Sequence, residues 1–142
     1  MNRSAGIVVL SVLALAGCRR DDDAEAPGRV DPPFALQVPA GWSVPQSPVD
    51  NPLTEGSVRL GKALFFEPRV SRDGSVSCAT CHHPDKAFSD VTAVSTGIEG
   101  RTGFRNSPTL GNVGYHTSFF RDGGVPTLEM QVIAPVHDVV EM

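Results

Sequence analysis

Five consecutive residues, Cys78-Ala79-Thr80-Cys81-His82, place two thiols three positions apart with an imidazole directly after the second. This is the spacing of covalent haem c attachment. The two thiols add to the two vinyl groups along one porphyrin edge, and His82 then stands where a ring nitrogen reaches the iron. Other uses of the same residues fit less well. Structural zinc wants four ligands, so His83, His116 or His137 would have to complete the set. An iron–sulfur cluster normally takes four cysteines, and the chain has three. A thioredoxin-type pair belongs in a βαβ context that the sequence lacks, which leaves a Cys78–Cys81 disulfide as the last alternative. His83 is expected to be a loop histidine. The chemistry then depends on what lies opposite His82. A second strong ligand makes an electron-transfer centre, whereas an open position allows peroxide to bind. His116 and His137 could close that position, but each is expected to be a loop residue.

The third cysteine has a separate use. Arg3 gives a positive start, Ile7 to Ala16 is an apolar run too short to span a bilayer, and Leu15-Ala16-Gly17-Cys18 resembles a bacterial lipoprotein cleavage site. Residues 1–17 are therefore expected to be a signal peptide, with Cys18 lipidated and the rest of the chain in the periplasm, anchored to a membrane only through lipid. Arg19 after the cysteine favours the outer membrane. Cleavage leaves 11 Lys and Arg against 16 Asp and Glu. That balance argues against a nucleic-acid partner and is compatible with docking a basic redox protein.

Several elements must position the motif. Residues 18–52 are expected to be a tether: they hold Asp21-Asp22-Asp23 and seven of the twelve prolines, which oppose helix and sheet alike. The apolar residues Phe34, Leu36, Val38 and Trp42 could pack on the domain. The domain itself is placed at 53–142. Leu60 and Leu64, four apart, predict a helix over Val58 to Phe66, ended by Pro68. Arg69 to Ser77 is predicted as a polar loop turning at Asp73-Gly74, and Val91 to Gly114 as mostly loop. Pro126 suits a first helical position, Leu128 and Val132 predict a second helix, and Pro135 is expected to close it. The class is all-α with long loops. Roughly ninety residues with so much loop would bury little surface by themselves, and a haem would supply the missing apolar centre.

The motif has company along the chain. Leu60-Gly61-Lys62-Ala63-Leu64-Phe65-Phe66-Glu67-Pro68-Arg69, Ser77 to His82, Arg105-Asn106-Ser107-Pro108-Thr109-Leu110, Phe120-Arg121-Asp122-Gly123-Gly124, Leu128-Glu129-Met130-Gln131 and Val140-Glu141-Met142 occur in that order. Together they resemble the opening of the bacterial di-haem cytochrome c peroxidase and MauG family, from about Asn51 to the end. The resemblance implies a cytochrome c-like haem domain carrying one haem c, the first of two in the full protein. It implies reduction of hydrogen peroxide to water with electrons from a small c-type cytochrome or similar donor. In the MauG branch it implies oxidation of a protein substrate instead. A plain electron-transfer cytochrome is the reading outside catalysis, and relatives are often homodimers.

Carried over by position, Glu141 matches the general acid/base that moves a proton between the peroxide oxygens. Gln131 matches a hydrogen-bonding partner of the bound oxygen species, Pro135 a pocket-lining position, and Asn106 a ligand of a calcium ion between the domains. Three departures stand out. Many relatives carry a histidine that caps this haem, but here no histidine lies between His83 and Asn106, and the matching neighbourhood is Thr96-Gly97-Ile98. Arg121 replaces a tryptophan thought to bridge the haems. No second Cys-x-x-Cys-His follows, so the sequence is expected to be the N-terminal, peroxidatic part of a longer protein.

Overall fold

The computed structural model describes residues 30–142; the signal, Cys18 and the start of the tether lie outside the described residues. Three helices carry the fold: α1 (Glu55–Phe65), α2 (Cys78–Cys81) and α3 (Leu128–His137). Short 3-10 turns at Pro68–Val70, Pro84–Lys86, Ile98–Gly100 and Val113–Tyr115 punctuate the loops between them. Among the described residues β structure is limited to isolated bridges, such as Phe119 with Val125, and no helix is long and apolar enough to cross a membrane.

Helix α1 starts three residues before the apolar pattern does. Thr54 accepts a hydrogen bond from the Ser57 amide at 3.1 Å, and the Ser57 hydroxyl accepts one from the Thr54 amide at 2.9 Å. This reciprocal capping box satisfies amides that a helix start otherwise leaves unpaired. The Gly56 amide donates to the Asp31 carboxylate, and a Cβ on Gly56 would run into that carboxylate. The Thr54 hydroxyl, more than the Gly56 amide, holds the Asp31 carboxyl below its ordinary pKa. At the other end Pro68, lacking an amide hydrogen, forbids another turn.

Part of the segment expected as a tether lies on the domain. The compact unit spans Asp31–Met142. The Phe34 amide donates to Leu53 O at 3.0 Å. Trp42 meets Tyr115 edge to face with centroids 5.1 Å apart, and the Tyr115 hydroxyl donates to Ser43 O.

Helix α3 departs from its expected limits at both ends. Thr127, not a residue before Pro126, caps it by accepting from the Met130 amide at 3.2 Å. Pro135 lies inside the helix, which continues to His137. The ring removes only the hydrogen bond back to Gln131, so one late turn tolerates it. The buried apolar core is small: Val76, Ile98 and Met142, with Val70 packed against them. It joins three separate loops, and Ile98 is wholly enclosed.

Candidate haem site

Helix α2 is a single turn. The Thr80 hydroxyl accepts from the Ser77 amide at 3.0 Å, and the His82 amide closes the turn on Cys78 O at 2.9 Å. Residues three apart on such a turn share a face, so Cys78 and Cys81 present their sulfurs together. Both are free thiols and half-buried. Burial raises both thiol pKa values, and for Cys81 the nearby Asp90 charge adds to the effect.

The loop after the motif fixes the imidazole. His82 Nδ1 lies 2.8 Å from Phe88 O. A carbonyl only accepts, so Nδ1 donates to it, and Nε2 is the ring nitrogen left to face a metal. Reaching this arrangement takes unusual backbone. Ala87 and Phe88 are consecutive non-glycine residues with φ of 54° and 56°, each costing about 1–2 kcal/mol relative to ordinary helix geometry. The Phe88 amide on His83 O, the Thr109 hydroxyl on Ala87 O and an edge contact of Phe88 with Phe65 hold the loop in place. Strain concentrated beside a ligand is a common mark of a working site.

A further loop approaches the motif from the other side of the sequence. Cys81 Sγ lies 3.9 Å from Thr96 O, a weak thiol contact. Two residues on, the Ile98 amide donates to Glu141 O at 3.3 Å. A Cβ on Gly97 would strike the Val140 carbonyl and the Glu141 backbone, so only glycine permits this approach. Asp138 Oδ1 accepts from the Val140 and Glu141 amides at 2.7 and 3.1 Å, and Arg101 donates to Val139 O at 2.7 Å. Glu141 is thus fixed by its backbone. Its carboxyl is pushed above the ordinary glutamate pKa by desolvation and the Asp138 charge, while His82 pulls the other way.

Gln131 and Pro135, four apart on α3, share a helix face. Gln131 Oε1 is buried without a hydrogen-bond partner. A buried acceptor left open in this way is suited to receiving a donor from a ligand. Asn106 makes no hydrogen bond to any of these residues; its Oδ1 accepts from Arg121 Nη2 at 2.6 Å. His116 lines a pocket with Ser43 to Gln46 and Tyr115, and His137, expected in a loop, is the last residue of α3 because the helix runs past Pro135. Among the described residues no group of three His, Cys, Asp or Glu side chains is arranged to hold a metal ion.

The donor set fits a haem c: two thiols three residues apart on one helical turn, and an imidazole whose Nδ1 is committed to the Phe88 carbonyl, are the groups that such a cofactor needs. Sequence reasoning missed Asp90, Gly97, Asp138 and the Phe88 carbonyl. The carbonyl carries no side-chain signal at all. Gly97 could have been found as a glycine in the segment matching the missing histidine.

A family profile described as di-haem cytochrome c peroxidase matches residues 55–142, and the chain belongs to that family. It is 46% identical over 100 residues to the methylamine utilization protein MauG of Methylorubrum extorquens, covering 70% of this chain and 28% of that protein. It is 40% identical over 91 residues to the cytochrome c551 peroxidase of Pseudomonas aeruginosa, covering 64% of this chain and 26% of that protein. The crystal structure of a MauG-like protein associated with microbial copper homeostasis superposes with a TM-score of 0.71 at 33% identity, covering 76% of this chain and 32% of the other. The chain spans about a third or less of these relatives. The family is one of haem-dependent oxidoreductases with c-type haem, and the cytochrome c-like fold expectation agrees with the neighbours.

Proposed function

We propose that this chain is the peroxide-reacting domain of a cytochrome c peroxidase, which reduces hydrogen peroxide to two waters with two electrons and two protons. The observation that carries this reading is Glu141. A carboxyl with raised proton affinity is held by its backbone beside the loop that touches Cys81, within electrostatic reach of His82.

Haem c, when bound through Cys78, Cys81 and His82, supplies the iron and one route for electrons. The residues supply the rest. His82, its Nδ1–H given to Phe88 O, offers an imidazole of fixed orientation. Glu141 takes the proton from one peroxide oxygen and returns it to the oxygen that leaves as water. A pKa lifted toward the working pH makes both transfers feasible. Gln131 Oε1 accepts a hydrogen bond from the substrate and so orients it. The segment matching the capping histidine of many relatives is filled by Gly97 and by Ile98, which is enclosed in the core. No imidazole comes from that segment, and on this reading the position opposite His82 would be open to peroxide without prior reduction.

The electron donor is a small c-type cytochrome or similar protein, reached through a second haem in the whole protein. Export and lipidation at Cys18 would place the reaction at the periplasmic face of a membrane, the outer one by Arg19. A MauG-like oxidation of a protein substrate is the second reading; the chain is similar to MauG and to cytochrome c peroxidases alike, and the same residues would serve either chemistry.

The test uses the full gene product, matured with haem, and reduced small cytochrome c. Rapid oxidation of the cytochrome on adding peroxide, without prior reduction of the enzyme, is the expected result. Haem present with no turnover across several donors favours the protein-modifying reading. A low-spin ferric spectrum with no turnover would mean an electron carrier and end the proposal.

A further inference from the structure

One peptide unit joins the strained pair Ala87 and Phe88, and it is held at both of its ends. Its amide, from Phe88, donates to His83 O at 2.9 Å, and its carbonyl, on Ala87, accepts the Thr109 hydroxyl. The first partner belongs to the same loop, whereas the second comes from 22 residues further along the chain. Thr109 is prepared for the contact. The Gly111 amide donates to Thr109 Oγ1 at 3.0 Å, which leaves the one hydroxyl hydrogen for Ala87 O, an atom that only accepts. On the same segment Ser107 O accepts from the Asp90 amide at 3.3 Å, and the Ser107 hydroxyl lies 2.9 Å from that of Ser95. Residues 107 and 109, with the fixed φ of Pro108 between them, therefore grip the loop at residues 90 and 87, on either side of Phe88. Among the described residues, no other side chain from outside 82–90 hydrogen-bonds to the backbone of 83–89.

A peptide unit is planar, so holding both ends fixes its plane. Only the φ and ψ of Phe88 then separate that plane from the Phe88 carbonyl, which takes the His82 Nδ1–H at 2.8 Å. Rotating the plane is also the simplest escape from the strain, because it changes the ψ of Ala87 and the φ of Phe88 together. Phe88 has φ 56°, a conformation that side chains other than glycine rarely adopt. Whatever stops that rotation keeps the carbonyl aimed at the imidazole.

We propose that Thr109 is a positioning residue for the haem ligand: its hydroxyl blocks rotation of the Ala87–Phe88 peptide and so keeps the Phe88 carbonyl on His82 Nδ1. The inference rests on the haem reading of Cys78, Cys81 and His82, and it holds for either substrate under the proposed function. A hydrogen bond at the far nitrogen raises the basicity of a ligating histidine, which favours ferric over ferrous iron. Without the hydroxyl the carbonyl turns away, that bond weakens and the midpoint potential rises.

The experiment uses the full gene product, matured with haem, and follows the haem whose signal disappears when Cys78 and Cys81 are both changed to Ser. Its midpoint potential is read by spectroelectrochemical titration, without peroxide. Thr109→Val keeps the side-chain size and removes the donor. It should retain covalent haem and titrate at a potential higher by about 59 mV, a tenfold change in a one-electron equilibrium. Thr109→Ser keeps the donor and loses the methyl, so it should titrate like the wild type. A Thr109→Val protein at the wild-type potential overturns the proposal. So does a Thr109→Ser protein shifted as far as Thr109→Val, because packing and not the hydroxyl would then be at work. If Thr109→Val does not mature, Thr109→Ala decides. Water can reach the freed carbonyl there, so the shift keeps its sign and is smaller; no shift again overturns the proposal. If the double serine protein loses no haem signal, the attachment reading itself has failed and takes the proposal with it, an outcome distinct from any result at Thr109.

Discussion

Residues 77–90 and residues 127–142 each hold one side chain of the proposed mechanism, and they do it in opposite ways. His82 is held by its own ring, through Nδ1 on a carbonyl only six residues away. Glu141 is held by its backbone, through Ile98 and Gly97 and through an arginine contact to Val139 that spans 38 residues. Among the described residues, no hydrogen bond uses the Glu141 carboxylate. The difference suits the task proposed for each group. A metal ligand must keep one tautomer and one direction, which a hydrogen bond to the far nitrogen enforces. A proton carrier must stay near the reaction yet swing between two oxygens, which a fixed backbone and an unbound carboxyl allow.

The sharpest way to break the comparison is to remove the local side. With Cys78 and Cys81 both changed to Ser, covalent haem should be lost outright, seen as no haem stain after denaturing electrophoresis. Haem still covalently retained would refute the attachment site. Glu141→Gln should do the reverse: keep covalent haem and an unchanged reduced spectrum, while slowing reaction with peroxide by about 10²–10⁴-fold, the usual worth of general acid/base help. Normal peroxide kinetics in that variant would remove Glu141 from the mechanism. The sign of its pH dependence is fixed. Glu141 must be ionised to take the first proton, and its folded pKa is raised. The acid limb of the rate profile should therefore lie above the ordinary glutamate value of 4.5 and vanish in the Gln variant. As a raised carboxyl, Glu141 also favours the folded state below its unfolded pKa, and that contribution fades as pH rises through the folded pKa.

The same contrast decides what the sequence could reveal. Everything on the local side is covalent spacing or near-neighbour geometry, so Cys78, Cys81 and His82 were legible from five residues. On the other side, the resemblance pointed to Glu141, but nothing in its neighbours said what fixes it, because the fixing contacts come from residues 97–101. The helices show the same split. The apolar pair Leu60 and Leu64 announces α1, yet the helix begins at Glu55 and not at Val58, because its cap uses Thr54 and Ser57, polar residues outside the apolar period. Pro135 read as a stop, and the helix runs past it because only one backbone hydrogen bond is forfeited in a final turn. The hydrogen bond between Arg121 and Asn106 joins two positions that sequence treated separately.

Gly97→Ala tests the long-range side without touching a reactive group. The added methyl meets the Val140 carbonyl and the Glu141 backbone, so the two loops must separate. Overpacking of this kind costs about 1–3 kcal/mol, and misplacing a reacting group by an ångström costs on the order of 10²-fold in rate. Slower peroxide reaction with full covalent haem and an unaltered His82 environment is the expected result, measured by stopped flow and by the reduced spectrum. An unchanged rate would mean that the Gly97 contact does not position Glu141.

The smallest effect should come from Thr54→Ala, and its interest lies in what stays constant. Thr54 caps α1 and is the first cause of the lowered Asp31 pKa. Losing such a cap costs about 1 kcal/mol. The variant should melt a few degrees lower, on the order of the shift that 1 kcal/mol gives a small domain. A depressed carboxyl stabilises the fold above its unfolded pKa and loses that contribution as pH falls through the folded value. The gap in melting temperature between wild type and variant should therefore narrow on acidification as Asp31 protonates in both. Peroxide kinetics should not move, since α1 carries neither the imidazole nor the carboxyl. If they slow as much as in Gly97→Ala, then general loosening of the domain, not the position of Glu141, accounts for both variants, and the division between a ring-held ligand and a backbone-held acid would lose its kinetic support.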